Sequence, residues 1–456
     1  MNPVIHDAVQ KQRACFLSGK TKDLSFRKDM LRALAQIIRN SESKIIDALY
    51  DDMKKPEVEA YASEIAVVKH EISYVLSNID YWTRTRKVHT PKQLLPSKSF
   101  IIPEPRGVAL IISPWNYPFN LALMPLVSAI AAGNCSIIKP SEYSPHTSDL
   151  LDEIITSVFD PVFVRVINGD VEVARSILEE RFDYIFFTGS TSTGRRVMEA
   201  GARFLTPMTL ELGGKSPCIV DSDINVEYAA RRIAWAKYFN AGQTCIAPDY
   251  LFVHKAIKKD LLEALGKNIR KFYGDNSMLN PDYARIINSN HFSRLVNLMA
   301  EGKIIIGGRT DEAGLSIEPT VIDDVNPEFR IMQEEIFGPI LPVMGYKDID
   351  QVIAFVNSRP KPLSLYVFSR DRKVQDMILS RTSSGGACVN DAMVQFESEE
   401  LPFGGVGESG MGAYHGKAGF DAFTHYKSVV RNSLCFDLPF RYAPYRYKLS
   451  LARWLF

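Results

Sequence analysis

Two residues carry the chemistry that the sequence suggests first. Glu211 stands in a glycine turn, Glu211-Leu212-Gly213-Gly214, and Cys245 follows in Gly242-Gln243-Thr244-Cys245. The cysteine comes just after an amphipathic segment, at a small-residue turn where a helix would end, so its sulfur can face a cleft. A thiolate is a strong nucleophile toward an electrophilic carbon, and a nearby carboxylate can serve as general base for a water. Cys245 is therefore the candidate nucleophile and Glu211 the candidate base. By residue type alone a cysteine more commonly ends as a small buried apolar side chain, and a glutamate as a solvated or capping carboxylate. The surrounding pattern has to decide.

The elements that must position these residues alternate regularly. From Arg106 the strand-like runs GVALIIS, CSIIK, VFVRVI and YIFFT are each followed by a helical pattern, starting at Pro118, about Thr147, after Gly169 and about Thr193. Short apolar runs alternating with helices predict a parallel, doubly wound α/β sheet of Rossmann type, which binds ligands beyond the carboxyl ends of its strands. Polar residues follow those strands. Asn116, in Ser113-Pro114-Trp115-Asn116-Tyr117-Pro118, offers a neutral amide donor, or a helix cap. Lys139 and Glu142 can hold a ribose by its hydroxyls, or form an exposed ion pair. Thr188-Gly189-Ser190-Thr191-Ser192-Thr193-Gly194 lets the backbone approach a pyrophosphate at a helix start, although it is not the usual G-x-G-x-x-G.

The rest of the chain frames this core. Residues 1–82 read as helices, with apolar positions at helical spacing in LRALAQIIRN and AYASEIAVVKHEISYVLSNIDYW. Residues 83–105 are basic and proline-rich and read as an extended arm. From residue 215 to about 400 a second α/β unit is expected, with strands SPCIVD, YLFVHKA, KIIIGG, LPVMGY and SLYVFS and helices NVEYAARRIAWAKYF, KKDLLEALGKNIRKFY and HFSRLVNLMAEG. The glycine-dense LPFGGVGESGMGAYHGKAGF reads as structural turns of the kind that also line active-site edges.

Composition bounds the function. Charged residues make up 23% and the net charge is +1, so no global field favours nucleic acid. The six cysteines (15, 135, 218, 245, 388 and 435) form no CxxC pair, which suggests neither a zinc site nor a disulfide framework. No secretory pattern opens the chain, and no apolar run reaches the roughly 20 residues that span a bilayer. A cytoplasmic protein with reduced thiols and no metal is expected.

These residues belong to a recognisable set. PWNYP, IIKPSE, FFTGSTSTGR, LELGGKSP, FNAGQTCIAPDY, EEIFGPILP and LPFGGVGESGMG occur in this order, and the chain from about residue 10 to residue 430 resembles the aldehyde dehydrogenase superfamily. IAWAKYFNAGQTCIAPDY, RIINSNHFSRL, PLSLYVFS and SGMGAYHGKAGFDAFTH look like its class 3 branch of fatty, aromatic and coniferyl aldehyde enzymes. The resemblance implies Cys245 as nucleophile, Glu211 as base, and Asn116 with the Cys245 N–H as oxyanion donors. It implies Lys139 and Glu142 at the adenosine ribose, and Thr188, Gly189, Ser190 and Gly194 under the phosphates and nicotinamide. Glu335 and Phe337 would hold the nicotinamide ribose, and Tyr117 and Trp235 would wall the aldehyde channel.

The implied organisation has three parts. Residues 1–82 and 106–207 form an NAD(P)-binding domain, 208–400 a catalytic domain, and 83–105 with 425–456 an oligomerisation arm and tail. The implied reaction is NAD(P)-dependent oxidation of a medium- or long-chain aliphatic or aromatic aldehyde to the acid, through a thioester hydrolysed by Glu211-activated water. An acyl-CoA-forming relative and a non-enzymatic protein reusing the fold are the alternatives; Glu211 favours hydrolysis. Glu142 would repel a 2′-phosphate and so favours NAD over NADP, although Lys139 offsets this. HYKSVVRNSLC, residues 425–435, looks like the strand that pairs with another subunit in a homodimer. The basic-aromatic tail LPFRYAPYRYKLSLARWLF permits weak membrane-surface contact, but packing on the dimer is the expected role.

Overall fold

The computed structural model describes residues 2–435, 437, 441–446 and 448–455. The predicted α/β architecture is present as two mostly parallel sheets with separate hydrophobic cores.

The first sheet has six strands in the order Gly410–Met411, Met208–Glu211, Tyr184–Thr188, Val108–Ile112, Cys135–Lys139 and Val164–Val166. All neighbours are parallel except Gly410–Met411, which runs antiparallel to Met208–Glu211. The chain winds outward from Val108–Ile112 in one direction and then returns to wind in the other. That reversal opens a crevice at the carboxyl ends of Val108–Ile112 and Tyr184–Thr188, the usual ligand position in such sheets. Cys135–Lys139 is buried at every residue and Tyr184–Thr188 at all but the last, as expected for strands covered on both faces.

Helices cover both faces. Leu24–Asn40 is capped by Asp23, whose carboxylate accepts the Ser25 N–H at 2.8 Å, and it buries Leu31, Leu34, Ala35 and Ile38. That spacing places one apolar stripe against the core. Asn120–Ala132 is buried at every residue and has no local cap. The carboxylate of Glu64 takes that role instead, accepting the N–H groups of Phe119 at 3.2 Å and Asn120 at 2.9 Å. A negative charge at a helix N-terminus is favourable, and here it is fully buried.

The second sheet has seven strands in the order Lys303–Ile306, Thr320–Asp323, Ile340–Tyr346, Tyr250–His254, Pro217–Val220, Ser364–Phe368 and Gly386–Val389. Only Lys303–Ile306 is antiparallel to its neighbour. Two of its strands, Thr320–Asp323 and Gly386–Val389, are additions to the sequence reading; each is four residues long and too short to declare a period. The arm is a third sheet, in which Lys98–Pro105 pairs on one side with Arg86–Val88 and on the other with Thr424–Arg431, from Lys98 opposite Arg431 to Pro105 opposite Thr424.

One boundary differs from the expectation. A division between residues 207 and 208 assigns Met208–Glu211 to the second unit, yet this strand pairs along its length with Ile185–Thr188 and belongs to the first sheet. The break falls between Glu211 and Pro217, where Leu212-Gly213-Gly214 crosses from one sheet to the other. Within the tail, Leu438, Pro439, Phe440, Tyr447 and Phe456 lie outside the described residues, and a short helix spans Leu449–Leu455. No helix among the described residues is long and apolar enough to cross a membrane.

The cap on Asn120–Ala132 depends on a buried ion pair. Glu64 meets Lys55 at 2.5 Å, and both side chains are fully buried. Burial pushes the Glu64 carboxyl up, while the Lys55 charge and the helix N–H groups oppose the shift. Lys55→Met strands the carboxylate, so a stability loss of about 3–5 kcal/mol is expected, read as a lowered urea midpoint. An unchanged midpoint would show that Glu64 finds compensation elsewhere.

Candidate active site

The nucleophile turn is held by backbone strain and by many hydrogen bonds. The helix Val226–Tyr238 ends, and Asn240, Ala241 and Gly242 follow with φ of 52°, 50° and 72°. Three successive left-handed residues are uncommon, and only Gly242 adopts that region without strain. A side chain at 242 would also overlap the Gly338 carbonyl. Hydrogen bonds hold the turn. Glu59 accepts the Asn240 N–H at 2.9 Å. The Asn240 side-chain amide donates to the carbonyls of Asn116 at 3.0 Å and Gln243 at 3.2 Å. Gln243 in turn donates to the carbonyls of Asn240 and Arg285 and accepts the Ile287 N–H.

This framework delivers Cys245 to the wall of a cavity of about 1310 Å³. Burial pushes the Cys245 thiol far up from its ordinary value, and the carboxylates of Glu335 and Glu211 add to the shift; the N–H groups of Cys245 and Ile246 oppose it. Glu211 ends its strand in the same cavity, 2% exposed, with neither carboxylate oxygen hydrogen-bonded. Burial without a partner holds its pKa well above the usual carboxylate range. Asn116 lies on the cavity wall too, its amide donating to the Gln243 carbonyl at 3.0 Å. That bond uses one N–H and leaves the other free for a ligand oxygen.

Every candidate from the sequence lines this cavity except Gly194. Lys139 donates to Glu142 at 3.1 Å and to the Pro140 carbonyl at 2.8 Å. Thr188, opposite Glu211 in the strand register, has a buried hydroxyl with no partner. Gly189 follows it, and Ser190 caps the helix Thr191–Ala202 by accepting the Thr193 N–H at 3.3 Å. Glu335 packs against Gly213, where a side chain would overlap its carboxylate, and burial and the Asp249 charge push it up to about 8. Phe337 (φ 50°) meets Trp115 edge to face at 5.4 Å. Tyr117 bonds its hydroxyl to Thr244 at 2.6 Å under the Lys55 ammonium, and Trp235 leans on Phe239. Gly194 lies off the cavity lining. It sits inside the helix, where a side chain would strike Leu212, so its small size serves close helix–strand packing.

Several wall residues had no signal of their own. Met393, Phe396, Phe403, Tyr414 and His415 add to the apolar lining. The Tyr414 hydroxyl and the His415 Nε2 are buried without partners, and burial lowers the His415 pKa to about 3, keeping it neutral. Both sit in the glycine-dense loop expected at an active-site edge, and that adjacency was the available clue.

The donor set fits a dinucleotide. An unpartnered buried hydroxyl at Thr188, a capped helix N-terminus and the Lys139–Glu142 pair all open on the crevice at the sheet's reversal. Comparison with known proteins agrees. Residues 3–429 match the aldehyde dehydrogenase family. The 4,4'-diaponeurosporen-aldehyde dehydrogenase of Staphylococcus aureus (strain NCTC 8325 / PS 47) is 46% identical over 455 residues, 99% of either chain. A mouse (Mus musculus) enzyme named aldehyde dehydrogenase, dimeric NADP-preferring, is 45% identical over 94% of this chain and 95% of its own. A solved structure of Staphylococcus aureus AldH in a substrate-bound state superposes with a TM-score of 0.97 at 45% identity, covering 99% of either chain.

The chain belongs to the aldehyde dehydrogenase family. It is an NAD(P)-dependent oxidoreductase that converts an aldehyde to its carboxylic acid.

The electrostatics of Cys245 give a test. In cofactor-free protein its alkylation by iodoacetamide should keep accelerating beyond pH 9, above the ordinary thiol range near about 8.5. Glu211→Gln removes a negative charge facing the sulfur and should move the profile to lower pH. An unmoved profile would show that the two groups do not sense one another.

Proposed function

We propose that the chain oxidises long apolar aldehydes, linear or aromatic, and hydrolyses the resulting thioester without coenzyme A. One observation carries this reading: Cys245, the unpartnered Glu211 and the Asn116 amide share one large cavity whose remaining wall is mainly aromatic and aliphatic. The Staphylococcus aureus relative is named for 4,4'-diaponeurosporen-aldehyde, which supports a large aldehyde as substrate.

The Cys245 Sγ adds to the aldehyde carbon as its proton is lost to water, which leaves Glu211 unprotonated for the second step. The Asn116 amide and the Cys245 N–H donate to the developing oxyanion; each such donor is typically worth about 3–4 kcal/mol. Bound beside Lys139, Glu142, Thr188, Gly189, Ser190, Glu335 and Phe337, the dinucleotide supplies the hydride acceptor. A thioester remains on Cys245. Glu211 then takes a proton from water as that water attacks the acyl carbon, the C–S bond breaks, and the carboxylate leaves. Tyr117 and Trp235 hold the aldehyde chain and exclude bulk water.

The six-stranded unit serves as the cofactor domain and the seven-stranded unit as the catalytic domain. Glu142 discourages a 2′-phosphate and favours NAD, with Lys139 softening the preference. Among the described residues Thr424–Arg431 has an unpaired edge in the arm sheet, suited to pairing with a second copy in a cytoplasmic homodimer. The tail packs on that dimer rather than on a membrane.

Cys245→Ala should abolish NAD(P)H formation from a panel running from hexanal to hexadecanal, benzaldehyde and coniferaldehyde, measured by absorbance; residual turnover would remove Cys245 as nucleophile. Glu211→Gln should keep the first-turnover burst and slow the steady state by roughly 100-fold, the scale of general-base catalysis. A lost burst would reassign Glu211 to the first step. A requirement for coenzyme A would overturn hydrolysis, and light scattering at the monomer mass would overturn the dimer.

A further inference from the structure

The hydrogen bonds behind the catalytic wall converge on a residue that touches neither cavity nor substrate. Glu59 is absent from the cavity lining, as are Lys55 and Glu64. All three come from the segment that joins the helices Glu42–Met53 and Val67–Trp82, far in sequence from Asn116 and Cys245. Glu59 accepts the N–H of Asn240, the first of the three left-handed residues. The backbone of that residue is thus anchored from outside the turn, and its side chain points the other way. The Asn240 amide bonds to the carbonyls of Asn116 and Gln243, and the Asn116 amide bonds to the same Gln243 carbonyl. Lys55 closes the figure by donating to the Asn116 carbonyl at 2.9 Å.

A turn with two non-glycine residues in the left-handed region persists only where its surroundings over-determine it. The restraint from outside the turn on the backbone of its first member is the Glu59 carboxylate. We propose that Glu59 is a positioning residue that fixes the Cys245 turn in register with Asn116, acting through Asn240, so that sulfur and oxyanion donor meet the aldehyde in one geometry. Lys55, four residues before it, sets the Asn116 carbonyl from the same segment. One short stretch, the link at Lys55 and the helix Glu57–Ala60 that follows it, thereby spaces the nucleophile relative to its oxyanion donor. Small errors in such spacing reduce rate without reducing affinity, because they act on transition-state geometry.

This inference rests on the assignment of Cys245 and Asn116 made above, and the experiment separates the two. Stopped-flow absorbance gives the NAD(P)H burst rate for the wild type, Cys245→Ala, Glu59→Ala, Glu59→Gln, Asn116→Ala and the Glu59→Ala/Asn116→Ala double variant. A wild-type burst that vanishes in Cys245→Ala secures the nucleophile; without that pair of results the nucleophile assignment fails. Glu59→Ala should slow the burst about 10-fold with KM for the dinucleotide within about 2-fold, whereas Glu59→Gln, which keeps an oxygen acceptor, should stay within about 3-fold of wild type. In the Asn116→Ala background the same Glu59→Ala change should cost less than about 3-fold, because the partner it positions is gone. Asn240→Gly relieves the left-handed strain but deletes the bridging amide, and should slow the burst like Glu59→Ala. An equal loss in both Asn116 backgrounds, Glu59→Gln as slow as Glu59→Ala, or a wild-type rate in Asn240→Gly would overturn the proposal.

Discussion

The catalytic half of this structure answers to one unfavourable arrangement, a carboxyl buried without a hydrogen-bond partner in the same cavity as a half-buried thiol. Desolvation is the main cause that raises both groups, with the Glu335 and Glu211 charges adding to it at Cys245, and no hydrogen bond to Glu211 offsets it. Such a pair does not hold itself in place, so the restraint comes from further out. Glu211 is fixed by the strand pairing of Met208–Glu211 on both sides, and Cys245 by a turn whose hydrogen bonds reach into three distant parts of the chain. Burial that destabilises the reactive groups is matched by buried polar networks, among them Lys55 with Glu64 and Lys215 with Asp249.

The two sheets divide this work. The first ends its central strands at the crevice where Lys139, Thr188 and Ser190 gather, and the second sends Glu335 and Phe337 across to the same space. Glu335 lies against the glycine pair that crosses between the sheets, so the link between the units is itself a wall of the site. That contact explains why Gly213 carries no side chain, a constraint of volume imposed by a residue more than a hundred positions later.

Legibility from sequence followed the range of the interaction. Cys135–Lys139, Tyr184–Thr188 and Lys258–Tyr273 begin and end where the pattern places them, because burial on both faces or along one stripe writes itself into consecutive residues. In the sequence the strand Met208–Glu211 reads with the second unit because its glycine-rich exit looks like the start of something new, while its partner is chosen by the sheet. Lys55, Glu59 and Glu64 left no trace, because their partners are the Asn116 and Asn240 loops and the start of Asn120–Ala132, all far away in sequence. Tyr414 and His415 reach the cavity from a loop whose sequence announces only turns.

The placement of Gly410–Met411 has a consequence for how the chain comes off the ribosome. The strand that ends in Glu211 has its outer edge covered by residues made some two hundred positions later, and Thr424–Arg431 closes the arm against Lys98–Pro105 later still. The first sheet is therefore incomplete through most of synthesis, with an open edge beside the future base. The second sheet must form in between, as an insertion within an unfinished first one. Until Gly410–Met411 is made, the strand that carries Glu211 lacks its outer neighbour, so the pocket around the base is completed by the last part of the chain.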